Sequence, residues 1–301
     1  MWPGCTEEAM ECVKPNPKKK GLRRMDSGKE TGKGLVNYKR DDLVGIISLN
    51  RPEKRNAINY AVWNDLDVAI AKAEQDEEAR AVLLRGEGKS FCVGLELGTD
   101  PELESFFAST PGVGQRVRYF KTIKDLMRIF TRLEHLSKPT IALIHGYCVG
   151  GGLELVLCCD FRLCSADAQF SLPETKRAII ADMGGLYRLP KVVGPGHARE
   201  IAFRGHLFDA ERARAILLVN DVHPDRETLE LKGLEIARQI AENAPLAVQG
   251  TKEVFLFNEG LGQSRYLEYN AARTCMTIPS EDLIEAVSAF TQKRKAAFKG
   301  S

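Results

Sequence analysis

A chain of 301 residues with 44% hydrophobic residues can bury a large core, and its size fits one large domain with or without an appendage. A net charge of +2 gives no global pull toward nucleic acid. No apolar run reaches the roughly 18 residues that a membrane-spanning helix needs, and no signal-peptide core stands at the N-terminus.

Residues 1–33 are rich in Lys, Arg, Gly and Pro and have no hydrophobic period, which predicts a disordered basic leader. An extension upstream of a start at Met25 fits the same composition. Acidic residues and the lack of an amphipathic Arg/Ser pattern argue against a transit peptide. From Leu43 the pattern becomes α/β. "LVGIISLN", "AVLLRG" (81–86) and "IALIHG" (141–146) predict buried strands, the last with Pro139 just before it. Helical spacing covers 58–75 and 117–136, a short helix follows the glycines at 150–152, and "DFRLCSADAQFSL" predicts two short strands. Beyond about Gly184 the chain turns mostly helical. "RETLELKGLEIARQIAEN" has i, i+3, i+4 apolar spacing, and "SEDLIEAVSAFTQKRKAAF" opens on an N-cap Ser280 with an acidic first turn. The expected organisation is an α/β core over 34–195 and a helical C-terminal region over 196–301 that packs on a neighbouring subunit.

Eight cysteines stand at 5, 12, 92, 148, 158, 159, 164 and 275, with no C-x-x-C pair and few histidines. Most lie in apolar segments, so they are expected to be free packing residues in a reducing compartment, and no metal site is predicted.

The stretch "HGYCVGGGLELVLCCDFR" (145–162) carries the first chemical signal. A strand ends, glycines follow, and a helix starts with Glu154 in its first turns. The first N–H groups of a helix lack internal partners, and glycine lets a ligand approach them. No G-K-[S/T] follows, so a phosphate loop fails, and GGG does not match the G-x-G-x-x-G of dinucleotide sites. Donors aimed at an oxygen that gains charge, an oxyanion hole, remain. A second signal is "FSLPETKRAIIADMGGLYRLPKVVG" (170–194), where Glu174 and Asp182 flank apolar residues suited to raising carboxyl pKa. Each carboxylate alone also fits a cap or a solvated turn. A third is the basic loop "RPEKRNA" (51–57), which reads as a solvated turn or as a phosphate contact.

Together, "LNRPEKRNAIN", "FCVGLEL", "HGYCVGGGLEL…CD", "AQFSLPE", "GGLYRLPKVVG" and "AFTQKRKAAFKG" resemble the crotonase (enoyl-CoA hydratase/isomerase) superfamily over about residues 35–300. The resemblance implies a spiral of ββα repeats with a helical trimerisation region, and a homotrimer or homohexamer. It implies an acyl-CoA thioester as substrate, with no separate cofactor, no nucleic acid and no membrane partner. The thioester oxygen is expected between the N–H groups of Leu95 and Gly151. Coenzyme A is expected near Lys54, Arg55, Asn56 and Ala57, and Gly94, Glu96, Leu97, Gly98 and Gly152 are expected among the residues that bind the acyl-CoA. Phe290 and Lys293 on the last helix match family positions that reach coenzyme A.

Within the superfamily, Glu154 and Glu174 match the two water-holding glutamates of 2-enoyl-CoA hydratases. Asp182 stands where hydratases carry Gly and resembles the Δ3,5-Δ2,4-dienoyl-CoA isomerases, which usually have Asp where this chain has Glu154. Moving two double bonds takes a proton from C2 and returns one to C6, carbons too distant for one side chain. Glu174 and Asp182 could be that pair, with Glu154 hydrogen-bonded to a protonated Glu174. Family analogy makes Asp182 the C2 base and Glu174 the C6 acid, an order the residues themselves leave open. The expected function is therefore dienoyl-CoA isomerisation in β-oxidation. Enoyl-CoA hydration, another specialised crotonase reaction such as acyl-CoA hydrolysis, and a non-catalytic acyl-CoA-binding member are the alternatives. Residues 98–117 match the family's variable acyl-pocket loop, and a bacterial-type cytoplasmic location is expected, with an organelle as the alternative.

Overall fold

The computed structural model describes residues 34–96, 112–257 and 262–301. Expectations for residues 1–33, for Leu97 and Gly98, and for most of the variable loop therefore fall outside the described residues.

The architecture is a repeat of one step. A strand joins a six-stranded sheet, the chain then crosses to a second layer, and a helix returns it. In the first step β1 (Val36–Asp41) and β2 (Val44–Leu49) form a hairpin, Ile58 bridges to Leu95 in the second layer, and α1 (Tyr60–Gln75) follows. In the second, β3 (Ala81–Gly86) leads to Cys92, which bridges Cys148, and then to α2 (Val113–Glu134). The third is β4 (Thr140–Ile144), β5 (Tyr147–Val149) and α3 (Gly151–Val156). The fourth is β6 (Phe161–Ser165), β7 (Gln169–Ser171) and α4 (Gly185–Arg204). The large sheet runs β1-β2-β3-β4-β6-β9, antiparallel at its first pair and parallel beyond, and the second layer holds β5-β7-β8. This is the crotonase spiral.

Side-chain alternation explains why the strands read as continuous apolar runs. Ala81, Leu83, Ile141 and Leu143 point to one face, where Leu229 and Ala237 of α6 (Arg226–Ala241) cover them. Val82, Leu84, Ala142 and Ile144 point to the other, against the core that includes Trp63, Phe91 and Phe130. Both faces are covered, and the few polar residues on these strands find partners, Arg85 Nε donating to Ser48 Oγ at 3.1 Å and Thr140 Oγ1 to the Asp160 carboxylate at 2.9 Å.

Helix α1 starts at Asn59, whose side chain accepts from the Val62 N–H at 3.0 Å, a cap of the kind that contributes about 1 kcal/mol. Its buried residues, Val62, Trp63, Leu66, Ala69, Ile70 and Ala73, form one stripe facing the sheet. Strand β1 escapes sequence reading because half of it (Lys39, Arg40, Asp41) is charged, as an edge strand allows. Beyond Gly184, β8 (Phe208–Asp209) and β9 (Asp221–His223) interrupt the expected helices and complete the two layers. The remaining helices are α5 (Ala210–Ala215), α7 (Pro245–Phe257), α8 (Gln263–Thr277) and α9 (Glu281–Gln292). Ser280 caps α9 as expected, accepting from Leu283 N at 3.1 Å. The helix stops at Lys293, which is left-handed (φ 54°), short of the predicted Phe298. The tail turns back so that Lys299 and Gly300 donate to the Asp282 carboxylate at 2.7 and 2.9 Å.

Cys92, Cys148, Cys158, Cys159 and Cys164 are free and buried, and burial pushes their thiols up, Cys92 and Cys159 to about 12. Neutral buried thiols pack as small apolar groups. Cys275 is exposed.

Candidate active site

The second layer and α2 enclose a cavity of about 310 Å³. Its floor is the glycine turn before α3. Its apolar wall includes Trp63 of α1 and Ile123 and Leu126 of α2. Glu154, Glu174 and Asp182 all border it, as do Gly94, Leu95 and Gly151. The chain thus brings together residues 94–95, 150–151, 154, 174 and 182, which sequence reading singled out in three separate stretches.

The glycines have separate duties. Gly150 has φ 55°, and a side chain there would stand 2.8 Å from Glu174 Oε1. Gly152 backs onto Cys92, whose carbonyl would lie 2.7 Å from an added Cβ, so it serves helix packing and does not line the cavity. Gly151 opens the cavity, its nearest neighbour to an added Cβ being Ile58 Cδ1 at 3.7 Å. As the first residue of α3 its N–H has no acceptor within the helix. Opposite it, Ile58 donates to the Gly94 carbonyl and accepts from Glu96 N–H, both at 2.8 Å. Strand alternation then turns the intervening Leu95 N–H away from Ile58. Gly94, at φ 87°, brings this segment against the start of α3, since a Cβ on it would lie 3.4 Å from Gly151 N.

Glu154 is 2% exposed. Its Oε1 accepts from the N–H groups of Met183 (3.1 Å) and Gly185 (2.9 Å), at the turn that opens α4. Sequence reading expected a hydrogen bond to Glu174. The bonds run to backbone instead, to Gly185 N at the helix start and to Met183 N just before the N-cap Gly184. Burial pushes the Glu154 carboxyl up to about 7, the charges of Glu174 and Asp182 add to the rise, and the two N–H bonds partly offset it. Glu174 is raised by burial, with Arg177 holding it down in part, and its Oε2 is buried without a partner. Asp182 is also raised by burial. Tyr119 of α2 faces Asp182, and burial and that negative charge raise its hydroxyl.

Gly185 has no room for a side chain, since an added Cβ would lie 2.7 Å from Cγ and Oε1 of Glu154. Gly185→Ala is therefore expected to displace the carboxyl and lower kcat by about 10²-fold, with acyl-CoA affinity retained. Steady-state kinetics and calorimetric binding check this, and an unchanged kcat would show that the Glu154 position is immaterial.

Other expected site residues lie apart from the cavity. Lys54 and Arg55 sit on an exposed 3-10 turn, with Arg55 over the Tyr147 ring at 5.8 Å. Asn56 is 1% exposed, and its side chain is committed to the fold. Its Oδ1 accepts from Arg51 N at 2.8 Å, and Nδ2 donates to the carbonyls of Glu87, Ser90 and Phe91 at 2.9, 2.9 and 3.0 Å. Ala57 is buried beside it. Glu96 pairs with Arg51 and with Lys54 (3.6 Å). Phe290, 86% exposed, and Lys293 stand at the end of α9, outside the cavity lining. Sequence reading missed Trp63, Tyr119 and Leu126, which act through tertiary packing, and Arg188, whose only sequence sign is its place four residues after a Gly in a helix start.

An oxygen at the N–H pair would sit beside three carboxyls in an apolar cavity. That arrangement suits proton transfer at carbon next to a carbonyl, where the developing charge goes to the oxygen. Residues 39–301 match the enoyl-CoA hydratase/isomerase family, and the chain belongs to it. It is 39% identical to the mitochondrial Δ(3,5)-Δ(2,4)-dienoyl-CoA isomerase of Dictyostelium discoideum, over 85% of this chain and 88% of that one. It is 35% identical to the peroxisomal protein of the same name from Arabidopsis thaliana, over 88% and 95%. The crystal structure of enoyl-CoA hydratase from Bacillus anthracis superposes with a TM-score of 0.79 at 32% identity, covering 88% of this chain and 99% of that one. The protein is an enzyme of this family, acting as an acyl-CoA isomerase or hydratase. No helix among the described residues is long and apolar enough to cross a membrane.

Proposed function

We propose that the enzyme converts 3,5-dienoyl-CoA to 2,4-dienoyl-CoA. The observation that carries this reading is a third carboxyl, Asp182, on the cavity that Glu154 and Glu174 border. The N–H groups of Leu95 and Gly151 receive the thioester oxygen. Asp182, ionised, takes the C2 proton, and charge spreads over the diene to the oxygen. Glu174, protonated, returns a proton to C6, leaving double bonds at C2 and C4. The two carboxyls exchange protonation states in each turnover and are reset by proton exchange. Burial raises both carboxyls, which favours the protonated form of Glu174 and strengthens Asp182 as a base. Burial and the negative charge of Asp182 favour the protonated form of Glu174, and Glu154 is coupled to Glu174 through charge across the cavity.

Coenzyme A lies over the Lys54–Ala57 loop in this reading, reached by the ammonium of Lys54, the guanidinium of Arg55 and backbone groups. Phe290 and Lys293 reach it from a neighbouring subunit. An apolar face on α9, with Leu283, Ile284, Val287 and Phe290 exposed, supports a homotrimer or its dimer, the hexamer. The organellar relatives support a mitochondrial or peroxisomal location over the cytoplasm expected at first.

Hydration is the second reading, favoured by the Glu154–Glu174 pair on one cavity and by the likeness to a hydratase structure. Ultraviolet absorbance separates the two. Purified enzyme given 3,5-dienoyl-CoA is expected to generate the conjugated 2,4-diene band. Loss of crotonyl-CoA absorbance with no diene formation would overturn the isomerase reading.

A further inference from the structure

Arg188 lies inside the fold, 6% exposed, on the first turn of α4. Its Nη1 donates to the Met183 carbonyl at 3.1 Å. Its Nη2 donates to Glu134 Oε2 at 2.7 Å and to Thr131 Oγ1 at 3.2 Å, both on α2. Gly184 has φ 89° and presses so closely on the guanidinium that a side chain there would overlap it. Met183 is thus held from two sides, its N–H by Glu154 and its carbonyl by Arg188. The same guanidinium ties that turn to α2, the helix that carries Tyr119 and Leu126 along the cavity wall.

We propose that Arg188, through Glu134 and the Met183 carbonyl, is a positioning residue that fixes the Asp182–Gly185 turn and with it the reactive placement of Asp182 and Glu154. The inference rests on the isomerase reading for its kinetic test alone. A planar fork suits the task, because a lysine ammonium can keep the charge but not span a carbonyl, a hydroxyl and a carboxylate on two elements at once. Arg188 also acts on Glu154 by its charge. The other groups facing Glu154 are Glu174, Asp182 and the Cys158 thiol, with Arg177 acting on Glu174 and Tyr119 on Asp182.

The test compares Arg188→Met, Arg188→Lys and Glu134→Gln. Arg188→Met is expected to lower kcat by about 10²-fold while KM for the acyl-CoA stays within about threefold. Losing the cation moves the pH limb governed by Glu154 upward. Glu134→Gln leaves the cation unneutralised and moves that limb downward. Arg188→Lys returns the limb toward the wild-type position while kcat recovers only in part. A role in packing alone gives no such opposed displacements. Folded Arg188→Met with wild-type kcat, or limbs that stay put or move the same way, overturns the proposal. If Arg188→Met does not fold, the other two variants decide by the same criteria. If the wild-type enzyme turns over neither substrate, the reaction reading fails separately. The Glu154 titration is then followed by the infrared band of its buried carboxylic acid, assigned by its loss in Glu154→Gln. Opposed displacements of that titration in Arg188→Met and Glu134→Gln support the clamp, and identical titrations refute it.

Discussion

Asp182→Asn is expected to lower conversion of 3,5-dienoyl-CoA by about 10³-fold, within the range typical for loss of a general base, while acyl-CoA affinity changes by less than about threefold. Asparagine is nearly isosteric and cannot accept the C2 proton. The fold should tolerate the change, because Asp182 is only partly buried and its raised pKa shows that its ionised form is destabilised where it stands. Stopped-flow absorbance of the diene product and calorimetric titration with a saturated acyl-CoA measure the two quantities. Turnover like that of the wild type would remove Asp182 from the chemistry. A drop in kcat matched by an equal rise in KM would assign it to binding instead.

The outcome also bears on Glu154. If Asp182→Asn destroys isomerisation and leaves crotonyl-CoA hydration intact, the cavity holds two overlapping catalytic pairs. Glu154 with Glu174 would serve water addition, and Glu174 with Asp182 would serve the double-bond shift. The shared member, Glu174, has a buried Oε2 with no hydrogen-bond partner, so no fixed donor commits it to one protonation state.

Much of this was legible in the chain. The buried strands announce themselves because both faces of β2, β3 and β4 are covered, so apolar residues dominate both sets of alternating positions. The glycine turn and three carboxylates are legible because their chemistry demands particular residue types. Edge strand β1 is hidden by its charges, and β8 and β9 are too short to show a period. Asn56 shows the limit of local reading. In sequence it belongs to a basic loop facing a ligand, yet in the fold its amide gathers three carbonyls from the β3–α2 connection. Arg188 and Glu134 meet across more than fifty residues of chain, so their pairing has no local signature.

Glu154→Gln separates the needs of the site from those of the fold. Glu154 holds its proton up to about pH 7 when folded, against an ordinary value of 4.5. Between those values the folded state binds a proton that the unfolded state has released, so stability contributed by this group falls as pH rises from 4.5 to 7 and is flat above. A gap of about 2.5 units corresponds to about 3 kcal/mol of destabilisation above pH 7. Glutamine carries no charge, and its Oε1 can still accept from Met183 and Gly185. The variant is therefore expected to be more stable than wild type by roughly 2–3 kcal/mol at pH 8 and about equal to it at pH 4. Urea unfolding at both pH values, at one protein concentration, measures the difference. An equal difference at the two pH values would show that the effect comes from packing and that Glu154 does not carry a displaced titration. The same substitution should depress turnover, since a neutral amide removes the charge coupling between Glu154 and Glu174 on the cavity. A gain in stability joined to a loss of activity would mark this carboxylate as one the fold tolerates for the sake of the reaction.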